Sequence, residues 1–160
     1  MSKAKTDGEK FRRIIEGGDR DLAQRIERMI KNGAHVNSTC EFYGDTAIIW
    51  AARKNRDDVA KVLLENGADA NFVRVGGWPA LMVAALGGNI QVAKVLMAYG
   101  ANILYTDDFG KTSFDVANEH KHYEFAKLVD PKLVLQVITP GRDALERLRR
   151  GAQAKERIRV

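Results

Sequence analysis

The chain is poor in cysteine, in long apolar runs and in apolar residues at its N-terminus, and each shortage excludes a class of protein. Its 160 residues include one cysteine, Cys40, which excludes an internal disulfide framework and a multi-cysteine zinc site. The longest apolar runs, such as residues 78–86, are too short to span a bilayer. The polar N-terminus predicts no secretory signal and a cytoplasmic location, with export as an effector left open.

The composition is that of one folded domain followed by a basic tail. Hydrophobic residues make up 45% of the chain, which is too apolar for a disordered protein. The net charge is +5, and residues 131–160 account for all of it with eight basic and three acidic residues. Residues 1–130 are therefore neutral, so composition indicates nucleic-acid binding only weakly and only for the tail.

Small residues recur along the chain with one period. Two series are spaced by 33 residues: Gly44, Gly77 and Gly110, and Ala51, Ala84 and Ala117. A third series places Gly-Ala at Gly33, Gly67 and Gly100, the first being one residue out of step. Asn37 and Asn71 follow their glycines at the same distance. A fixed period of this length indicates stacked structural repeats.

Each period contains the pattern of two short helices and a turn. The alanine-rich stretches 46–53 and 79–86 predict first helices that pack closely on their neighbours. Residues 58–65 and 90–97 predict second helices, because their apolar residues fall at i, i+3 and i+4. Gly67 and Gly100 suit the left-handed residue that ends a helix. The glycine-containing segment 71–77 predicts a turn or hairpin.

These motifs resemble the ankyrin repeat, whose unit carries a T-P-L-H-x-A-A core and a later G-A-D-x-N. Residues 46–52 (TAIIWAA), 67–71 (GADAN) and 79–85 (PALMVAA) match with departures, and residues 112–118 (TSFDVAN) match more weakly. The resemblance covers residues 8–130 and implies an all-α ankyrin-repeat solenoid of about four helix-turn-helix units with β-hairpin loops. The first unit is irregular, with helices expected over residues 11–17 and 22–32. Ile49, Met82 and Asp115 replace the family's histidine, which puts the usual bracing of the loops in doubt.

The resemblance also implies a non-catalytic protein-binding module, which binds its partner through the concave surface and the hairpin tips. The family's most variable positions lie around the glycine before each core and usually make the contacts. In this chain the implied partner-binding residues are Phe42, Tyr43, Asp45, Arg53 and Lys54 in the second unit, Val75, Trp78 and Leu86 in the third, and Asp108, Phe109, Lys111, Glu119 and His120 in the fourth.

Large aromatic residues occupy several of these tip positions. Phe42, Tyr43, Trp78 and Phe109 either form a binding patch or pack on neighbouring tips and brace the hairpins. Trp50 differs, because its place beside two alanines predicts that it is buried in helix packing.

Residues 131–160 form a basic extension for which three interpretations stay open. It is a helical cap over the last repeat, an arm that binds a partner or RNA, or a disordered end. If it is an arm, the chain binds nucleic acid or an anionic surface through arginines of the tail, with a steep dependence on salt. Those arginines are Arg142, Arg147, Arg149, Arg150, Arg157 and Arg159.

The sequence contains no arrangement that predicts catalysis, a cofactor or a metal. Gly110-Lys111-Thr112 resembles the end of a phosphate-binding loop, but Tyr105 stands where that loop needs its first glycine. No carboxylate cluster or cysteine joins His120 and His122, and at i, i+2 on a helix they would point apart. We therefore expect no enzyme activity, no cofactor, a monomer and a protein partner.

Overall fold

Successive pairs of short helices make up the fold. The computed structural model describes residues 6–18, 20–41, 44–74 and 76–138. These residues form nine helices, α1 Asp7–Gly17, α2 Leu22–Lys31, α3 Ala47–Arg53, α4 Asp57–Glu65, α5 Ala80–Gly87, α6 Ile90–Ala98, α7 Ser113–Glu119, α8 Tyr123–Leu128 and α9 Pro131–Ile138. The first eight are four helix pairs, which confirms the predicted all-α repeat solenoid.

The helix pairs stack in two layers. α1, α3, α5 and α7 pack in succession as one layer, and α2, α4, α6 and α8 pack as the other. The apolar core lies between them and includes Ile48, Leu63, Leu81 and Leu96. The periodic alanines lie in this core with no exposed surface, as close packing of successive helices requires. Trp50 is 4% exposed, so the prediction that it is buried is confirmed.

A glycine-containing hairpin precedes each of α3, α5 and α7. Gly44, Gly77 and Gly110 have φ angles of 63°, 76° and 76°. Residues with a Cβ avoid this left-handed region, which explains the 33-residue glycine series. Isolated antiparallel bridges close the first two hairpins, between Thr39 and Thr46 and between Val73 and Pro79.

Asparagine side chains tie one hairpin segment to the next. Asn37 donates to the carbonyl of Gly67 over 3.0 Å, and Asn71 donates to the carbonyl of Gly100 over 2.9 Å. In both cases the side-chain oxygen accepts from the backbone N–H two residues after that glycine. One repeat further, the equivalent residue is Leu104, which is 54% exposed and has no amide to offer.

The exchange of the family's histidine has different results in different repeats. In the second repeat Ile49 is buried in the core, and the hydroxyl of Thr46 is buried without a hydrogen-bond partner among the described residues. In the fourth repeat Asp115 forms a capping box with Thr112, its carboxylate accepting from the Thr112 N–H over 2.8 Å. The expected loss of loop bracing therefore occurs in the second repeat, whereas Asp115 restores a brace in the fourth.

The ends of the chain fall partly outside this description. α9 covers the beginning of the basic extension, whereas residues 139–160, with the six tail arginines, lie outside the described residues. A cap formed by the extension thus stays a prediction. Within the described part of the chain, no helix has both the length and the apolar composition that crossing a membrane requires.

Candidate functional site

The helices α3, α5 and α7 and the hairpin before each of them form one continuous surface, here called the inner face. Two positions on it recur eight residues apart in every repeat, one in the hairpin and one at the end of the helix. The second repeat fills them with Asp45 and Arg53, the third with Trp78 and Leu86, and the fourth with Lys111 and Glu119. An apolar pair is therefore flanked by two ion pairs of opposite polarity.

Asp45 is the centre of a charged cluster in the second repeat. Its side chain has no exposed surface, and its Oδ2 accepts a hydrogen bond from Arg53 Nη2 over 2.8 Å. Arg74, which precedes the next hairpin, places its Nη1 3.6 Å from Asp45 Oδ1. Both arginine side chains keep about a third of their surface exposed, at 34% and 30%. The carboxylate therefore lies beneath two guanidinium groups that remain accessible from the inner face.

The environment of Asp45 raises the pKa of its carboxyl group above the ordinary value. Burial is the main cause, since it disfavours the charged form, and the positive charges of Arg53 and Arg74 offset part of the rise. Asp45 is thus buried beneath its arginines, and its contact with a partner stays a prediction. The side chain is covered because it pairs with arginines from the helix and from the following hairpin.

Trp50 supports the guanidinium of Arg53 from below. The Arg53 Cζ lies 4.6 Å from the centre of the Trp50 ring, and the Cζ of Arg12 from α1 lies 5.8 Å from it. Arg12 is itself held by Glu16, with an Nη1 to Oε2 distance of 2.6 Å. Stacking on an aromatic face favours a fixed guanidinium plane. Trp50 is thus buried in the core and orients a surface arginine as well.

A cleft of about 500 Å³ opens between the second and third repeats on the inner face. Arg53 and Arg74 contribute cationic groups to its lining, and Trp78, Val83 and Leu86 contribute apolar groups. Leu86 is 42% exposed, while Trp78 is half-buried and packs against the core. The cleft can therefore accept an apolar group beside an anionic one.

The fourth repeat presents a more solvated surface. Lys111 Nζ lies 2.7 Å from Glu119 Oε1, with both side chains more than 40% exposed. The hydrogen bond to Glu119 raises the pKa of Lys111. Asp107 holds the hairpin by accepting 2.9 Å bonds from the backbone N–H groups of Phe109 and Lys111. Phe109 is 85% exposed, so its ring lies free at the tip of the hairpin.

The described structure brings most of the predicted contact residues to the inner face. Arg53, Trp78 and Leu86 line the cleft, and Phe109 and Lys111 lie in the next hairpin. Lys54, Asp108, Glu119 and His120 are exposed. Phe42, Tyr43 and Val75 lie outside the described residues, so their contacts stay predictions.

Sequence reasoning missed Arg74 and Arg12. Neither occupies a position that the family resemblance marks for contact. A partial indication was present, because acidic and basic residues alternate in polarity between equivalent positions of the second and fourth repeats. That pattern could have identified the Asp45–Arg53 pair. It could not have identified Arg74, which reaches the pair from a different hairpin.

The histidines near the fourth repeat are arranged differently from the prediction. His120 ends α7 and His122 begins α8, so they do not share a helix, and their rings stack with centroids 6.5 Å apart. His122 Nε2 also contacts the carbonyl oxygen of Leu86 at 3.1 Å, which links the third and fourth repeats. Among the described residues there is no cluster of three or more metal-ligating side chains.

Comparison with known proteins finds a family match over the middle of the chain. The family model for ankyrin repeats in many copies matches residues 48–97. The human mitochondrial disaggregase is 46% identical over 75 residues, which are 47% of this chain and 11% of that protein. The ankyrin repeat and SAM domain-containing protein 6 of Danio rerio is 34% identical over 85 residues, or 52% of this chain and 12% of that protein.

A third relative is of more similar size. A protein of Acanthamoeba polyphaga mimivirus, named as an ankyrin repeat protein, is 36% identical over 98 residues, or 59% of this chain and 60% of that protein. The chain thus spans about a tenth of the first two relatives and three fifths of the third. The second and third relatives are named as ankyrin repeat proteins. The family match covers residues 48–97, and the described helix pairs before and after that stretch repeat the same unit. The chain therefore contains ankyrin repeats.

Proposed function

We propose that the chain is a non-catalytic protein-interaction module that acts as a monomer in the cytoplasm and binds a protein partner through the inner face. The observation that carries the proposal is the cleft between the second and third repeats, which combines cationic and apolar groups at an accessible site. Ankyrin repeats generally mediate protein–protein interaction, and the lining of this cleft includes Arg53, Trp78 and Leu86, which the resemblance implies as contact residues.

The stiffness of the surface supports the proposal. The hairpins are tied by Asn37 and Asn71, and the helices that carry them are packed in the core. A surface that is ordered before binding loses little conformational entropy when a partner docks. Exposed apolar groups at Leu86 and Phe109 offer burial to that partner, and aromatic residues such as Phe109 are enriched in interfaces.

The test is an affinity capture from lysate of the source cells with wild type and two matched variants. The first variant combines Leu86→Ala and Phe109→Ala on the inner face. The second combines Tyr99→Ala and Tyr123→Ala, which removes exposed aromatic groups of α6 and α8 on the outer layer. We expect a protein partner to be lost from the first variant and retained by the second, with both variants folded by circular dichroism.

Retention of every captured protein by the inner-face variant would contradict the proposed surface. Loss of the same partner from the outer-layer variant alone would place binding on the other side of the molecule. Either result is interpretable only as a change of surface, because each variant truncates two exposed residues and leaves the core unchanged.

The concentration of positive charge in residues 131–160 supports a second candidate, binding of nucleic acid through the tail. Replacement of its six arginines by glutamine is expected to abolish binding of a fluorescent 20-nucleotide RNA while capture of the protein partner persists. Wild-type affinity for the RNA should fall steeply as salt is raised. Failure of wild type to bind the RNA at low salt would exclude this function.

A further inference from the structure

We infer that the cleft between the second and third repeats recognises an internal segment of a partner protein in which an Asp or Glu side chain stands next to an apolar one. This inference rests on the proposed function, since it names the chemistry of the partner that the inner face binds.

The charged groups in the lining of the cleft are positive. The residues that line the cleft include two guanidinium groups, from Arg53 and Arg74, and no carboxylate. Asp45 compensates one of these charges from beneath, but its side chain has no exposed surface. Asp108 of the next hairpin lies against Gly77 and does not line the cleft. An approaching ligand therefore meets accessible positive charge and no accessible negative charge in the lining.

The guanidinium group of Arg53 has a fixed orientation in the cleft. One Arg53 nitrogen, Nη2, donates to Asp45, and the ring of Trp50 lies 4.6 Å from its Cζ. These contacts fix two features of the guanidinium, its position and its plane. A guanidinium has five N–H donors, so the bond to Asp45 leaves others for a ligand. A carboxylate suits such a planar group because it can accept two parallel hydrogen bonds.

The cleft also has an apolar wall, which suits an apolar part of the ligand. Trp78, Val83 and Leu86 line the cleft beside the two arginines. Nucleic acids bind through several phosphate contacts and gain little from an aliphatic wall. The combination of one anionic and one apolar site therefore favours an acidic residue adjacent to an apolar one in a polypeptide.

The surface around the cleft determines the path that a bound polypeptide can take. The inner face continues on both sides of the cleft, toward Arg12 on α1 and toward Phe109 in the last hairpin. A polypeptide that crosses the cleft can thus extend in both directions. This geometry favours an internal segment over a chain end, and an acidic side chain over a terminal carboxylate.

The experiment is selection from a phage-displayed library of random linear 12-residue peptides, each fused at its C-terminus to the coat protein so that no free terminal carboxylate is present. We expect the full chain to enrich peptides with Asp or Glu within two residues of an aliphatic or aromatic residue. Enrichment without acidic residues, or no enrichment at all, would overturn the inference.

A double-mutant cycle then locates the acidic group. One selected peptide and its amide counterpart, with Asp→Asn or Glu→Gln, are titrated against wild type and Arg53→Gln. We expect the amide to bind wild type about tenfold more weakly than the acid does, and the two peptides to bind Arg53→Gln with nearly equal affinity, because the charge-assisted hydrogen bond can be lost only once. An equal effect of the amide on both proteins would overturn the inference.

Three further variants separate the alternatives. Arg53→Lys keeps the charge and should retain part of the preference for the acid, whereas Arg28→Gln removes an exposed charge from α2 and should change nothing. Leu86→Ala should weaken acidic and amide peptides equally. Peptides whose affinity is the same for wild type and for every cleft variant would overturn this inference. That result would not contradict the proposed function. An acid-dependent peptide without any captured cellular partner would contradict the proposed function instead.

Discussion

The second and fourth repeats place an ion pair between the same two positions, but with reversed polarity and at different depths. Asp45 has no exposed surface and pairs with Arg53, whereas Lys111 and Glu119 are 42% and 49% exposed. A buried carboxylate must be paired, so it holds its arginines in place. An exposed pair is solvated and constrains little. The comparison teaches that one structural position can serve either to orient groups of a binding site or to keep a surface polar.

Breaking the two pairs should show the largest difference between the repeats. Arg53→Ala leaves Asp45 buried with Arg74 at 3.6 Å, and we expect the free energy of unfolding to fall by about 2 kcal/mol. Glu119→Ala should change it by about 0.5 kcal/mol or less, since Lys111 returns to water. Urea unfolding followed by circular dichroism measures both.

The double variant Arg53→Ala with Asp45→Asn is the control for the first change. Removing the buried charge together with its partner should recover part of the lost stability, because no uncompensated carboxylate remains. Equal losses for Arg53→Ala and Glu119→Ala would contradict the difference in depth on which the comparison rests.

The two N-cap threonines should respond to the same substitution with opposite signs. The Thr46 hydroxyl is buried without a hydrogen-bond partner among the described residues, so Thr46→Val should stabilise the protein by about 0.5 kcal/mol. Thr112 forms the capping box with Asp115, so Thr112→Val should destabilise it by about 1 kcal/mol. Thermal unfolding of the two variants side by side is sufficient, and a shared sign would disprove the assignment.

The smallest expected difference between the two repeats is in how their contributions to stability depend on pH. Burial raises the pKa of Asp45, so the folded state binds this proton more tightly than the unfolded state. Its contribution to stability is full below pH 3.8 and is lost as pH rises through the folded-state pKa. Lys111 also has a raised pKa, and its contribution is full below pH 10.5 and is lost above its folded-state value.

The measurement is the free energy of unfolding from pH 4 to 7 in wild type and Asp45→Asn, and from pH 9 to 12 in wild type and Lys111→Met. The acid-range slope should diminish only in Asp45→Asn, and the alkaline-range slope only in Lys111→Met. A stability difference between wild type and Asp45→Asn that does not change with pH would show that burial leaves the carboxyl unperturbed.

The repeat architecture could be read from the sequence because its cause is local. A left-handed hairpin residue requires glycine, and close helix packing requires alanine, so both recur at the period of the fold. Exposure of Leu86 and Phe109 followed from their positions within the unit. These features depend on one repeat and its immediate neighbour, which a periodic pattern records.

The charged cluster could not be predicted in full because it joins residues from different units. Arg74 lies outside the repeat core, yet it contacts Asp45 of the preceding hairpin. Arg12 reaches Trp50 from an irregular first unit whose register the 33-residue period does not define. Asp45 pairs with Arg53 of its own repeat and with Arg74 of the next hairpin, so its burial could not be predicted from the residue alone.

Because the asparagine series ends at Leu104, amide hydrogen exchange should have different rates before and after this part of the chain. Asn37 and Asn71 couple each hairpin segment to the one after it, so those segments exchange their amide hydrogens only when two repeats open together. Leu104 makes no such bond through its side chain, so in the described part of the chain the last hairpin segment is coupled by an asparagine only to the segment before it, through Asn71. Amide exchange should therefore be slow up to Asn102 and faster beyond it, in the Phe109 hairpin, which gives a partner one adjustable contact beside a fixed cleft.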